Sequence, residues 1–275
     1  MNTSPVRDAV VRRHQVNVVG EGSQTLVLAH GFGCDQTVWR FMVPLLQSRY
    51  RLVLFDFVGS GGSDLSAYDP QRHANLEGYA QDLAQICTAL GLEAPVFVGH
   101  SASSMIGALA SVADPGLFSR LVMIGPSPCY INQPPAYVGG FEHTDIVGLL
   151  DMMDHNYIGW AEAMAPVIMK NDDRPDLGQE LAQNFCRMDA DIARRWARAI
   201  FLADHRESLP RVSAPTLILQ CADDALAPVS VGRYMQACMP GSTLREMRAT
   251  GHCPHMSEPE ETVALLNDYL ASARP

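Results

Sequence analysis

Short apolar runs alternate with longer stretches of helical periodicity along most of this chain, and that alternation admits few architectures. Apolar runs at 25–29, 51–55, 96–98, 121–124, 216–220 and 243–247 predict strands. Between the second and third runs, Leu76, Tyr79, Ala80, Leu83, Ile86, Cys87 and Leu90 recur at the spacing of one helix face. Strands separated by helices of this length predict a mainly parallel sheet with helices packed on its faces. The 275 residues suit one large domain with an insertion.

The alternation stops between about 132 and 205. No strand pattern occurs there, but four helical patterns do. Ile146, Leu149, Leu150 and Met153 make the first, and Tyr157, Trp160, Ala161, Met164 and Ile168 the second. Leu177, Leu181, Phe185 and Met188 make the third, and Ile192, Trp196, Ala199 and Ile200 the fourth. The expected organisation is therefore a core made of 1–131 and 206–275, with a helical lid at 132–205.

Charge and cysteine usage exclude several classes of function. A net charge of −10 disfavours nucleic acid, because phosphate binding needs clustered basic residues. Lys170 is the single lysine, so neither a Schiff base nor a phosphate-binding lysine loop is expected. No eighteen-residue apolar run and no apolar leader is visible, which predicts neither a membrane span nor a signal peptide. Seven cysteines without a C-x-x-C pair predict free thiols in the cytoplasm, with no zinc site and no cofactor.

The chemistry centres on Gly99-His100-Ser101-Ala102-Ser103, between the apolar run 96–98 and a helical stretch through Met105, Ile106 and Leu109. Strand, sharp turn and helix is the setting of a nucleophilic serine held clear of a sheet. Ser103 stands where the G-x-S-x-G pattern has its second glycine. A serine in this place could also simply cap the helix. A serine nucleophile needs a base and an acid, which in this architecture follow it in the order acid, then histidine. His252, in a turn after the last run, is placed to be the base, and Asp223 and Asp224 after run 216–220 are both candidates for the acid.

His30-Gly31-Phe32-Gly33 follows the first strong run, and the amides of Phe32 and Ala102 are candidate donors to an oxyanion. Neither this loop nor Val58-Gly59-Ser60-Gly61-Gly62-Ser63-Asp64 matches a nucleotide-binding pattern. His252 and His255 have H-x-x-H spacing, but no third ligand accompanies them and Pro254 argues against a helix, so metal binding is the weaker reading.

The motifs Phe55-Asp56-Phe57-Val58-Gly59-Ser60-Gly61, Gly99-His100-Ser101 and Gly125-Pro126-Ser127-Pro128-Cys129-Tyr130 resemble those of the RsbQ-like α/β-hydrolases, a family of bacterial stress-response regulators. So do Asn156-Tyr157-Ile158-Gly159-Trp160, Asp204-His205-Arg206-Glu207, Gln220-Cys221-Ala222-Asp223-Asp224 and Gly251-His252-Cys253-Pro254-His255-Met256. The chain is similar, more distantly, to the plant strigolactone and karrikin receptors. Ala102 departs from the valine usual in the family, and Ser103-Ser104-Met105 looks more like the plant receptors.

The resemblance covers nearly the whole chain. It implies an α/β-hydrolase fold with a four-helix lid and a triad of Ser101, Asp224 and His252, and it favours Asp224 over Asp223. It further implies a small hydrophobic ligand and a partner phosphatase carrying a PAS domain. The residues expected around that ligand are His100, Tyr130, Phe141, Trp160, Met164, Phe201 and Cys253. Two functions compete: a metabolic esterase or carbon–carbon bond hydrolase, and a slow ligand-sensing regulator. A catalytically dead binding module is disfavoured by the presence of every expected catalytic residue.

Overall fold

Both faces of the central strands must be covered, because their apolar residues run continuously and do not alternate with polar ones. The computed structural model describes residues 5–272. Its strands are β1 (Asn17–Val19), β2 (Thr25–Ala29), β3 (Arg51–Leu54), β4 (Val96–His100), β5 (Arg120–Ile124), β6 (Thr216–Asp223) and β7 (Ser242–Thr250). They form one sheet in the order β1-β3-β2-β4-β5-β6-β7. β1 runs antiparallel to β3, and every other pairing is parallel. The helices are α1 (Pro5–Arg13), α2 (Val43–Leu46), α3 (Leu76–Ala89), α4 (Ala102–Ala113), α5 (His143–His155) and α6 (Tyr157–Met169). After them come α7 (Pro175–Arg187), α8 (Ala190–Phe201), α9 (Val229–Cys238), α10 (Pro254–Ser257) and α11 (Pro259–Ser272).

This is an α/β-hydrolase fold, with a mainly parallel sheet flanked by helices. All six predicted runs are strands, the first with the same ends and the others with at least one end shifted by one to three residues. β1 has no counterpart among them: three residues with largely exposed side chains carry too little periodicity to be recognised. α5 to α8 fall between β5 and β6, and each carries one of the four apolar stripes.

Trp196 of α8 ties that insert to the core. Its indole is fully buried, stacked on Tyr79 at 5.0 Å and edge-on to Phe32 at 5.6 Å. Truncating a buried tryptophan costs about 3–5 kcal/mol, so this one side chain contributes much of the attachment.

The contact of α4 with β4 sets the sharpness of the turn between them. Phe97 is fully buried against two glycines on either side of the turn. A Cβ on Gly99 would lie 2.6 Å from the Phe97 ring and 2.8 Å from the backbone of Ser103, and one on Gly107 would fall onto the same ring. Gly107 lies mid-helix, where alanine has the better helix propensity by about 1 kcal/mol. We expect Gly107→Ala nonetheless to destabilise the protein, since overpacking a tight core costs about 1–3 kcal/mol. Urea denaturation measures the difference, and an unchanged or raised midpoint would show that α4 does not depend on this notch.

Candidate active site

Ser101 connects β4 to α4 with φ 56° and ψ −124°, in the left-handed half of backbone space that side-chain-bearing residues avoid. Its amide donates to the Ile124 carbonyl at 2.8 Å, which fixes the turn to β5. Ser103 does more than leave space. Its hydroxyl donates to the His30 carbonyl and so ties the first turn of α4 to the glycine-rich loop after β2. The substitution of serine for glycine in the motif was the signal for this tether, but size alone does not disclose it.

His252 follows β7 and stands over the serine. Its Nε2 lies 2.7 Å from Ser101 Oγ, and its Nδ1 lies 2.8 Å from Asp224 Oδ2 and 3.0 Å from Oδ1. Asp224 also accepts the amides of Leu226 at 2.8 Å and Ala227 at 3.1 Å, which stabilise its charge within the fold. Asp223 points away to solvent and pairs with Lys170 at 2.6 Å. An irregularity in the pairing of β6 with β7 falls just before the two aspartates, between Cys221 and Asp223, and β6 ends at Asp223.

The hydrogen-bonded order is thus hydroxyl, imidazole, carboxylate, in a buried setting. Such an arrangement can remove the serine's proton while the carboxylate holds the ring in one tautomer. Both ring nitrogens of His252 are engaged, which leaves none for a metal. Among the described residues, no three His, Cys, Asp or Glu side chains are grouped to hold one.

The amides of Phe32 and Ala102 have no hydrogen-bond partner among the described residues. Ala102 is the first residue of α4, where the N–H has no helical acceptor. The Phe32 ring is enclosed by the insert, with Trp160, Phe185 and Phe201 centroids at 6.2, 5.9 and 6.5 Å. In the second glycine-rich loop, the amides of Gly59 and Ser60 go to Ser63 Oγ and that of Gly62 goes to Asp56. These internal bonds consume the N–H groups that a phosphate would need.

A small cavity of about 30 Å³ opens above Ser101 between the sheet and the insert. Of the expected ligand residues, His100, Tyr130, Trp160, Met164, Phe201 and Cys253 line it. Phe141 does not. It pairs its amide with the Tyr130 carbonyl and packs behind the Tyr130 ring at 6.5 Å, one layer out from the cavity. Sequence reasoning missed Cys34, Leu149, Ile168, Leu181, Phe185 and Leu226 as wall residues. Leu181 and Phe185 share one helix face, a visible signal, but periodicity does not say whether such a face looks at the serine or into the insert. Burial pushes the Tyr130 phenol up to about 12, so it stays protonated and able to donate.

Beneath the site three imidazoles pack against one another with their planes tilted. His255 lies 4.2 Å from His100 and 4.8 Å from Trp39, and His100 lies 5.0 Å from His252. Burial, then the neighbouring His252 and Arg40, push His255 down to about 3, and burial with the adjacent imidazoles pushes His100 well below the usual range. A histidine whose folded pKa is depressed binds its proton more readily when unfolded. Stability present above pH 6.5 is therefore lost as pH falls toward the folded pKa. Each such group contributes about 1.4 kcal/mol per pH unit below 6.5. We expect His255→Phe to weaken the loss of stability between pH 7 and pH 5 by about 2 kcal/mol. Urea titrations at the two pH values test this, and an undiminished loss would show that His255 does not carry it.

The sequence profile of the Alpha/beta hydrolase family matches residues 26–265, and the chain belongs to that family. It is 41% identical over 266 residues to "Karrikin insensitive 2 receptor IA" of Petunia hybrida, covering 94% of this chain and 97% of that one. It is 37% identical over 256 residues to "Strigolactone esterase D14" of Arabidopsis thaliana, covering 93% and 95%. Among solved structures, a hydrolase from Oleispira antarctica superposes with a TM-score of 0.94 at 44% identity, over 96% of this chain and 97% of that one.

Proposed function

We propose that this hydrolase is a serine esterase or lactonase in which Ser101 is the nucleophile, His252 the base and Asp224 the residue that orients it. The observation that carries the proposal is the Ser101–His252–Asp224 chain of hydrogen bonds at the floor of an enclosed apolar cavity. No cofactor enters the scheme. Ser101 Oγ attacks the acyl carbon as His252 Nε2 takes its proton, and the carbonyl electron pair moves onto oxygen. The amides of Phe32 and Ala102 stabilise that oxyanion. Collapse expels the alcohol oxygen, which takes the proton from His252, and leaves an acyl-serine. Water, deprotonated by the same imidazole, then releases the acid and restores the serine.

The cavity wall selects the substrate. Phe32, Trp160, Phe185, Phe201 and Leu149 are apolar, and Asp224 turns its carboxylate to His252, so a small neutral acyl group fits and a charged one meets an uncompensated desolvation cost. We read the insert 132–205 as a lid over the core 1–131 and 206–275, which carries most of that wall.

A regulatory role is the reading favoured within this activity, with slow turnover serving detection of a ligand. Its support is the similarity to proteins named as a karrikin receptor and a strigolactone esterase, together with the RsbQ-like motifs. Exposed Val147, Met152, Ile158 and Val167 on α5 and α6 offer apolar surface to a partner, for which a PAS-domain phosphatase is the candidate. Among the described residues no helix is long and apolar enough to cross a membrane. The seven cysteines are free thiols, which supports a cytoplasmic setting. The alternative is a metabolic esterase or carbon–carbon bond hydrolase with no signalling partner.

Hydrolysis of short aryl esters tests the chemistry. The rate should fall in acid, because only neutral imidazole accepts the serine proton. Asp224→Asn should lower kcat by about 10²–10⁴-fold, the usual contribution of a positioned base. Asp223→Asn should change it by less than about fivefold, as expected for loss of an exposed ion pair. Equal losses in folded variants would contradict the assignment of Asp224.

Ionic replacements on the outer lid face test the regulatory reading. Met152→Asp and Ile158→Asp should leave ester hydrolysis intact and abolish activation of a co-expressed PAS-domain phosphatase encoded in the same genome. Unchanged activation would place any partner contact elsewhere.

A further inference from the structure

The backbone of His252 is held at both its amide and its carbonyl, and one of the two holders is the residue next to the nucleophile. Its amide donates to the Ile168 carbonyl at 2.9 Å, and its carbonyl lies 2.8 Å from His100 Nε2. A carbonyl oxygen only accepts, so His100 carries its proton on Nε2 and donates. The other nitrogen, Nδ1, has no partner among the described residues. His100 is the last residue of β4, 3% exposed, with Ser101 directly after it. Its Nδ1 lies 2.7 Å from where a Cβ on Gly31 would stand, so the ring also rests against the loop that carries Phe32. One imidazole therefore touches the base loop and the oxyanion loop from the strand that presents the nucleophile.

We propose that His100 is a positioning residue, which sets the distance between Ser101 and His252 by holding the backbone carbonyl of the base. The proposal rests on the serine-hydrolase reading above. His252 lies between the end of β7 at Thr250 and α10 at Pro254, outside any strand ladder, so sheet pairing does not fix its backbone. Of the two bonds that its backbone makes, the one its amide donates goes to the Ile168 carbonyl of the insert. The one from His100 comes from the centre of the sheet, where β4 is flanked by β2 and β5. The sheet thus orients the base independently of the insert. Reacting groups misplaced by about 1 Å lose on the order of 10² in rate, so a bond of this kind acts on catalysis without touching substrate chemistry. Deep burial keeps His100 neutral, which preserves the single donor that the arrangement uses.

His100→Phe keeps the aromatic wall and removes the donor. His100→Gln offers an amide N–H at nearly the position of Nε2, and His100→Leu repeats the donor loss if the phenylalanine variant does not fold. The readouts are kcat and KM on a short aryl ester, with active serine titrated by a phosphonate and thermal midpoints recorded. Expressed per titrated serine, kcat should fall about 10- to 100-fold in His100→Phe or His100→Leu, with KM within about threefold. In His100→Gln it should recover to within about fivefold of wild type. A merely structural role would lower the midpoint and the titratable fraction but leave kcat per serine unchanged. Wild-type turnover per serine in the donor-less variants, or equal impairment by glutamine and phenylalanine, would overturn the proposal. Failure of the wild-type protein itself to label at Ser101 would overturn the hydrolase reading and this inference with it.

Discussion

Ser101 holds a backbone conformation that costs about 1–3 kcal/mol, and it persists only because the surroundings leave the chain no other path. Its amide is bonded to β5, the hydroxyls of Ser103 and Ser104 are bonded to the carbonyls of His30 and Gly99, and Phe97 fills the notch left by Gly99 and Gly107. Each of these contacts is buried and short in range. Together they convert an unfavourable dihedral into a fixed direction for one hydroxyl. The other parts of the site are then built to meet that direction.

The insert takes part in this construction and is not simply laid on top of it. Its aromatic side chains enclose the Phe32 ring, and the end of α6 supplies the carbonyl that accepts the His252 amide. Lys170, just beyond that helix, pairs with Asp223, while Gly251 packs so closely on Met169 that a side chain there would collide with its carbonyl. A shift of α6 relative to the sheet is therefore felt at the base loop directly. The bond from His100 opposes such a shift, since it anchors the carbonyl of the same residue to the sheet.

The parts of this fold legible in the sequence were those determined locally. Continuous apolar runs showed the central strands, and the spacing of Leu76, Tyr79, Leu83 and Ile86 showed α3. The setting of Ser101 followed from the strand before it and the helix after it. What was not legible depended on contacts between distant segments. Asp224 turns inward to His252 and Asp223 outward to Lys170, and which of the two faces the imidazole depends on partners from the loop after β7 and the end of α6 that the segment itself does not contain. Phe141 was expected at the cavity and lies behind Tyr130, because the segment before α5 bridges back to Ile131, while Phe185 lines the wall because of how α7 is rotated against the sheet. His100 was expected to touch ligand, and it does line the cavity, but its polar atom is turned the other way, toward the carbonyl of His252.

The central claim is that a developing oxyanion is met by two backbone amides beside an activated Ser101. A crystal structure of the protein after reaction with a small alkyl phosphonate tests it most directly, because the adduct reproduces the tetrahedral geometry. The account predicts phosphorus bonded to Ser101 Oγ, with the phosphonyl oxygen about 2.7–3.1 Å from the amide nitrogens of both Phe32 and Ala102. Phosphorus on another residue, or on Ser101 with its oxygen turned away from those amides, would contradict it.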